Sequence, residues 1–245
     1  MKNIFKICLL FSALFFSTVS KSQVLISLLL GDVLNTPKVE FGLVGGDNIS
    51  FYSNYNNSKG LNNFNIGFYF HFLLKNNSYL STGVLVKSNV GATGMPVYEV
   101  DNQDVNEAFV GGKLTTKVNY FYVPILFQQR FYKRFYTELG LQLGLRSKAY
   151  DYFDVSLDQG DLNYKIDVRD QYTRLDAGLM GGLGFKFNEK VKSTAVGVNY
   201  YYGLVDVSKA ENTTIKNSSI YFYIKIPIGL GKAAAKESRK ENEKG

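Results

Sequence analysis

Residues 135–146 read FYTELGLQLGLR. Leucine takes every second place, at Leu139, Leu141, Leu143 and Leu145, and between them stand Glu138, Gly140, Gln142, Gly144 and Arg146. Successive side chains of an extended strand point to opposite faces, so this segment is a ribbon with one aliphatic face and one face of glycine and ionisable groups.

The same period of two recurs on both sides of it. Eight segments alternate in this way: KVEFGLVGG from Lys38, FNIGFYFHFLL from Phe64, YLSTGVLVKS from Tyr79, KVNYFYVPILFQQRF from Lys117, FYTELGLQLGLR, TRLDAGLMGGLGFKF from Thr173, STAVGVNYYYGL from Ser193 and SSIYFYIKIPIGLG from Ser218. Each is long enough to cross a bilayer as a tilted strand. The connections alternate too. KNNS at Lys75, YKR at Tyr132 and NEKVK at Asn188 are short, whereas the gaps near 48–63, 89–116, 147–172 and 205–217 are long. Short turns at one end and long loops at the other are the pattern of a bacterial outer-membrane barrel.

Alternation alone does not say which face is outside, because a soluble lipocalin-like barrel has the same period with its apolar row turned inward. Glycine decides it. Glycine weakens a strand and packs nothing, so a solvent-facing row rarely repeats it. Here the polar rows do, as in Gly178, Gly182 and Gly184 beside Arg174 and Asp176. Small residues beside long ones suit the crowded interior of an eight-stranded closure. The expected fold class is therefore all-β, an eight-stranded antiparallel up-and-down transmembrane β-barrel with leucine toward lipid. Tyr79, Tyr120, Tyr136, Tyr172 and Tyr200 near the strand ends are expected to form interfacial girdles.

This register turns Glu40, Glu138 and Asp176 inward together with Lys87, Arg146, Arg174 and Lys225. In so narrow a space these charges are expected to pair, because an unpaired buried charge is heavily penalised. The cluster is either a salt-bridge plug or a gated polar path, and eight strands favour the plug. His71, the single histidine, lies on an inward row as a hydrogen-bonding group with no Cys or His partner for a metal. GLMGGLGFKF from Gly178 lacks both GxGxxG and a Walker lysine, so it reads as strand. The acids Glu99, Asp101, Asp104 and Glu107, and those from Asp151 to Asp170, fall in the long loops without EF-hand spacing. No catalytic residue, metal site or cofactor is expected.

Bulk composition agrees. Lys2 and Lys6, an apolar run from Ile7 to Val19 and small residues before Gln23 form an expected signal peptide over residues 1–22, which carries the chain's one cysteine, Cys8. Its removal takes Lys2, Lys6 and Lys21 away and lowers the formal charge of +7 to +4. No basic stripe with interleaved aromatics is left to suggest nucleic acid. The remaining expected divisions are an N-terminal periplasmic segment over 23–37, the barrel over 38–231 and a polar periplasmic tail over 232–245.

LISLLLGDVLNTPKVEFGLVGG from Leu25, VNYFYVPILFQQRF from Val118, FYTELGLQLG from Phe135 and YFYIKIPIGLG from Tyr221 together resemble the PorT-like outer-membrane β-barrel proteins of Bacteroidota, from about Gln23 to Lys232. The resemblance implies residence in the outer membrane and, through the family's namesake, an accessory role in type IX secretion. One departure is the run of polar residues after the last strand, where such barrels commonly end on an aromatic. The combined expectation is a non-enzymatic barrel with a closed polar lumen, a structural or secretion-accessory protein acting through its loops or tail. Its partners would be outer-membrane lipid and secretion-system or other envelope proteins, and the alternatives are a small-solute or ion pore or, last, an outer-membrane enzyme.

Overall fold

The computed structural model describes residues 36–228 apart from breaks at 37, 55–57, 158–159, 190–191 and 211–212. The expected signal peptide, nearly all of the N-terminal segment and the tail lie outside the described residues. Within them are nine strands: β1 (Val39–Tyr52), β2 (Lys59–Lys75), β3 (Ser78–Pro96), β4 (Lys113–Phe131), β5 (Phe135–Leu157), β6 (Gly160–Asp167), β7 (Leu175–Lys186), β8 (Ala195–Gly203) and β9 (Asn217–Pro227), with one short α-helix, α1 (Gln103–Ala108), and a 3-10 turn at Arg169–Gln171.

Every described pairing is antiparallel. The sheet runs β4-β3-β2-β1-β9-β8-β7-β5, and a β4–β5 ladder from Phe131↔Phe135 to Lys113↔Asp154 closes it into a ring of eight. Closure leaves the ring without a free edge, which a chain immersed in hydrocarbon requires. No described helix is long and apolar enough to cross a membrane, so crossing rests on these strands.

The ninth strand corrects the expectation that 147–172 is a loop. One edge of β5 pairs with β7 as far as Leu145↔Leu175, and above that level the same edge pairs with β6 from Tyr150↔Asp167 to Leu157↔Gly160. β1, β2, β3 and β4 likewise run beyond their expected ends into the presumed loops. At the other end the connections are tight. Asn76 links β2 to β3 at φ 51, and Tyr132 and Lys133 link β4 to β5 at φ 49 and 62, a left-handed region that only turn geometry requires of such residues.

The two faces separate cleanly. Glu138 is 2% exposed and its neighbour Leu139 is 68% exposed, and Leu141, Leu143 and Leu145 follow Leu139 outward. The same outward apolar row continues through Leu175, Leu179 and Leu183 on β7, Phe222 and Ile224 on β9, and Phe121, Ile125 and Phe127 on β4. The girdle expectation is corrected. Tyr79, Tyr120, Tyr136 and Tyr172 are buried inside, and of the five only Tyr200 faces out. A tyrosine combines an apolar ring with a hydroxyl that can answer a buried carboxylate, which suits it to the interior. At the short-turn end Phe131, Phe135 and Phe185 form an outward row of ring contacts, joined by the exposed Tyr132 of the turn.

Above the ring, at the long-loop end, a separate apolar cluster of Tyr52, Ala92, Met95, Phe109, Leu114 and Phe153 closes the barrel mouth. Asn102 caps α1 by accepting from the Val105 N–H at 3.3 Å, and α1 sets Phe109 over Phe153 at 5.9 Å between ring centres.

Candidate functional site in the barrel lumen

Alternation alone places most of the lumen side chains, and glycine makes room for them. Four tyrosines lie directly across a strand pair from a glycine: Tyr69 from Gly42, Tyr122 from Gly144, Tyr136 from Gly184 and Tyr223 from Gly197. In each pair a methyl group on the glycine would collide with the tyrosine ring. The glycines of the inner row are therefore seats for rings, which folds the large tyrosines flat against the wall and leaves the centre to the ionisable groups.

Two ion pairs and a histidine form one continuous chain there. Lys186 Nζ lies 3.2 Å from Glu40 Oε2. Glu40 Oε1 accepts from the Tyr69 hydroxyl at 2.7 Å and stands 3.6 Å from His71 Nδ1. His71 Nε2 faces Lys225 Nζ at 3.4 Å, and Lys225 donates to Glu138 Oε1 at 2.6 Å. An ammonium can only donate, so Nε2 is the nitrogen that accepts from Lys225, and Nδ1 is left facing Glu40. Glu138 Oε2 also accepts from Asn199 and from Tyr223, each at 3.3 Å.

Asp176 is held differently. Its carboxylate takes hydroxyl bonds from Tyr122 at 2.6 Å and Tyr201 at 2.9 Å and an amide bond from Asn217 at 2.8 Å, three neutral donors and no cation. Beside the Lys225–Glu138 pair lies a cavity of about 50 Å³ lined by Glu138, Lys225, Met180, Tyr221 and Asn199 among others. At roughly 10–15 Å³ per water centre it has room for a few waters and no more.

The expected cluster is thus partly reassigned. Glu40, Glu138, Asp176 and Lys225 are buried in the lumen. Arg146 is half-buried at its upper end, where Nε donates to the Thr173 carbonyl at 3.1 Å instead of to an acid. Lys87 and Arg174 are exposed. Lys87 is turned out by a bulge, because β3 uses three steps from Leu85 to Ser88 where β4 uses two from Tyr122 to Tyr120. Arg174 precedes β7, just beyond the last β5–β7 pair at Leu175, so the alternation of that strand does not reach it. The bases that take their places are Lys186, buried against Glu40, and Arg130, whose guanidinium lies 4.4 Å from the Tyr79 ring centre. Both share the inner parity of their strands, Lys186 with Asp176 and Arg130 with Tyr120, and that was the available signal.

Above the apolar band, Asp151 is another acid that the loop reading misplaced. It is buried on the inner side of β5 and accepts from the Thr116 hydroxyl at 2.5 Å and from Tyr98 at 2.9 Å. Burial pushes its carboxyl up from the ordinary range, and the two donated bonds oppose that shift. Beside it the β3–β4 connection forms an open recess of about 510 Å³ with Tyr98, Phe109 and Phe153 among its lining. Among the described residues no group of three or more His, Cys, Asp or Glu side chains could hold a metal ion.

A search of curated proteins gives no match. Among solved structures the chain is similar to Ail, the attachment invasion locus protein of Yersinia pestis, determined with the heparin analogue sucrose octasulfate, at 12% identity and a TM-score of 0.39 over 78% of this chain and 99% of that one. It is similar to Neisserial surface protein A at 8% identity and TM-score 0.37, over 77% and 96% of the two chains. It is similar to OprG of Pseudomonas aeruginosa at 11% and 0.30, over 77% and 91%. The family model described as outer membrane protein beta-barrel domain matches residues 34–209. That span is most of the chain, so the protein belongs to the outer membrane protein beta-barrel domain family and resides in the outer membrane, in contact with its lipid.

Proposed function

We propose that the protein is a non-enzymatic outer-membrane barrel with a sealed lumen, a structural or secretion-accessory component that acts through its outer hairpins and its polar tail. The observation that carries this reading is the Lys186–Glu40–His71–Lys225–Glu138 chain, which crosses the interior beside a cavity of about 50 Å³. The resemblance of the strands to PorT-like proteins supports the accessory role in secretion, and the recess beside α1 offers an outer surface for contact.

Planar-bilayer recording tests the seal. The purified protein should give no discrete steps at moderate voltage, and steady single-channel conductance would favour the ion-pore alternative instead. Pull-down from detergent extracts then tests the accessory role, comparing the intact chain with one truncated after Lys232. Envelope proteins retained by the intact chain and lost on truncation would make the tail the docking element. Unaltered secretion on deletion of the whole protein would overturn the accessory reading.

A further inference from the structure

Immediately above the last outward leucine the exterior of the barrel changes its chemistry on the side formed by β4, β5 and β6. On β4 the exposed Phe121 gives way to Asn119 and Lys117, and on β5 Leu145 gives way to Lys148, Tyr150 and Tyr152. The β3 bulge puts Lys87 on the same exterior, and β6 brings Lys165 opposite Tyr152. Side chains tie these strands at one level: Asn119 Nδ2 donates to Asn89 Oδ1 at 2.9 Å and the Ser147 hydroxyl to Asn119 Oδ1 at 2.6 Å.

One step above that level, lysines from the two strands flanking β5 converge on its tyrosines. Lys165 Nζ is 3.7 Å from the Tyr150 ring centre and 5.5 Å from that of Tyr152, and Lys117 Nζ is 5.0 Å from Tyr152. None of the salt bridges of the described residues includes Lys87, Lys117, Lys148 or Lys165. Of the carboxylates on this face, Asp167, across from Tyr150, is engaged by Arg169 at 2.9 Å, and Asp154, opposite Lys113, and Asp161, opposite Ser156, lie further up. Lysines gathered on aromatic faces, with the nearest acid, Asp167, already tied to Arg169, form a surface complementary to an anion.

We infer that this face of β3–β6 binds the phosphate groups of a phosphorylated glycolipid in the outer leaflet. The lysines point sideways from the wall and not into the mouth, and they stand directly over the exposed Phe121, Leu143 and Leu145. A ligand with phosphate at the level of Lys117 and Lys148 and acyl chains along the apolar band meets both surfaces together. A free anion meets only the first. Each lysine near an anionic surface strengthens binding roughly fivefold, so three contribute on the order of a hundredfold.

The experiment uses the full chain in phosphatidylcholine vesicles that contain a minor fraction of bis-phosphorylated lipid A, with the lipid retained after detergent extraction counted by native mass spectrometry. The wild type should hold lipid A in preference to phosphatidylcholine. The K117Q/K148Q/K165Q variant should lose most of that preference, the corresponding triple arginine variant should keep it, and K75Q, at the opposite end of the barrel, should leave it unchanged. Heat-modifiable migration checks that each variant is folded. Equal retention by the triple glutamine variant overturns the assignment. Displacement of the lipid by inorganic phosphate as readily as by added lipid A also overturns it, because the site would then be one for free anions.

Discussion

Lys225 Nζ and Glu138 Oε1 meet 2.6 Å apart inside the barrel, although they come from β9 and β5, which are not neighbours in the ring. The bond therefore crosses the lumen, and it ties opposite walls together where neighbouring strands are already tied by their ladders. Its loss leaves a charge in a place that water reaches poorly.

Glu138→Gln should lower stability by about 3–5 kcal/mol, the usual result of leaving one partner of a buried pair uncompensated. Denaturant titration followed by heat-modifiable migration measures this. The double variant E138Q/K225M should recover most of the loss, since no buried charge is then orphaned. A double variant as unstable as E138Q would show that the pair is not the source of the effect.

The glycine seats can be tested one at a time. Gly184→Ala places a methyl group against the Tyr136 ring, which must move and release its 3.0 Å contact with the Tyr223 hydroxyl. The expected cost is about 1–3 kcal/mol for an overpacked interior. Combining it with Tyr136→Leu should give less than the sum of the two single effects in a double-mutant cycle, and strict additivity would mean that ring and glycine do not interact.

The orientation of the wall is tested by moving charge across it. Leu141→Arg should cost about 2–4 kcal/mol in folding into lipid vesicles, because it sets a cation in the middle of the outward apolar band. Lys148→Leu, three pleats higher, should be close to neutral. If both substitutions were harmless, the leucine row would not be facing hydrocarbon.

Asp151 gives the outer cap a pH dependence. Burial raises its carboxyl pKa in the folded cap, so ionisation works against folding there. The cap should gain stability as pH falls through the raised value, with no further gain from this group below its ordinary 3.8. Hydrogen exchange of the β5–β6 hairpin, corrected for intrinsic pH effects, should slow over that window. Asp151→Asn should flatten the response, and an unchanged profile in the variant would assign it to another group.

The barrel itself is readable from alternation because period two holds without interruption from Phe135 to Leu145 and through β7 and β9. What alternation does not reveal is phase. Uninterrupted alternation puts Lys87 inside with Leu85, and one extra residue in β3 reverses it. Lys186 had the right parity all along, but its partner Glu40 lies 146 residues away and becomes a neighbour only when the ring closes. The tyrosines were legible as aromatic and not as interior, because their place depends on a carboxylate or a glycine on another strand. β6 is hidden for a simpler reason: it is short, and it pairs only with the part of β5 whose sequence reads as loop.

Ser147 is the residue by which β5 exceeds β4, since Asn119 pairs with Lys148 and Tyr120 with Arg146. Strict alternation from Leu145 would send Lys148 and Tyr150 inward and Asp151 and Phe153 outward, and the bulge prevents this inversion. The position therefore works as a frame corrector: a one-residue deletion at 147 would leave every side chain above it on its present side, while a one-residue insertion elsewhere in the upper half of β5 would turn the hairpin inside out. Length variation among homologous chains should accordingly concentrate at this point of the wall and come in pairs of residues everywhere else along the strand.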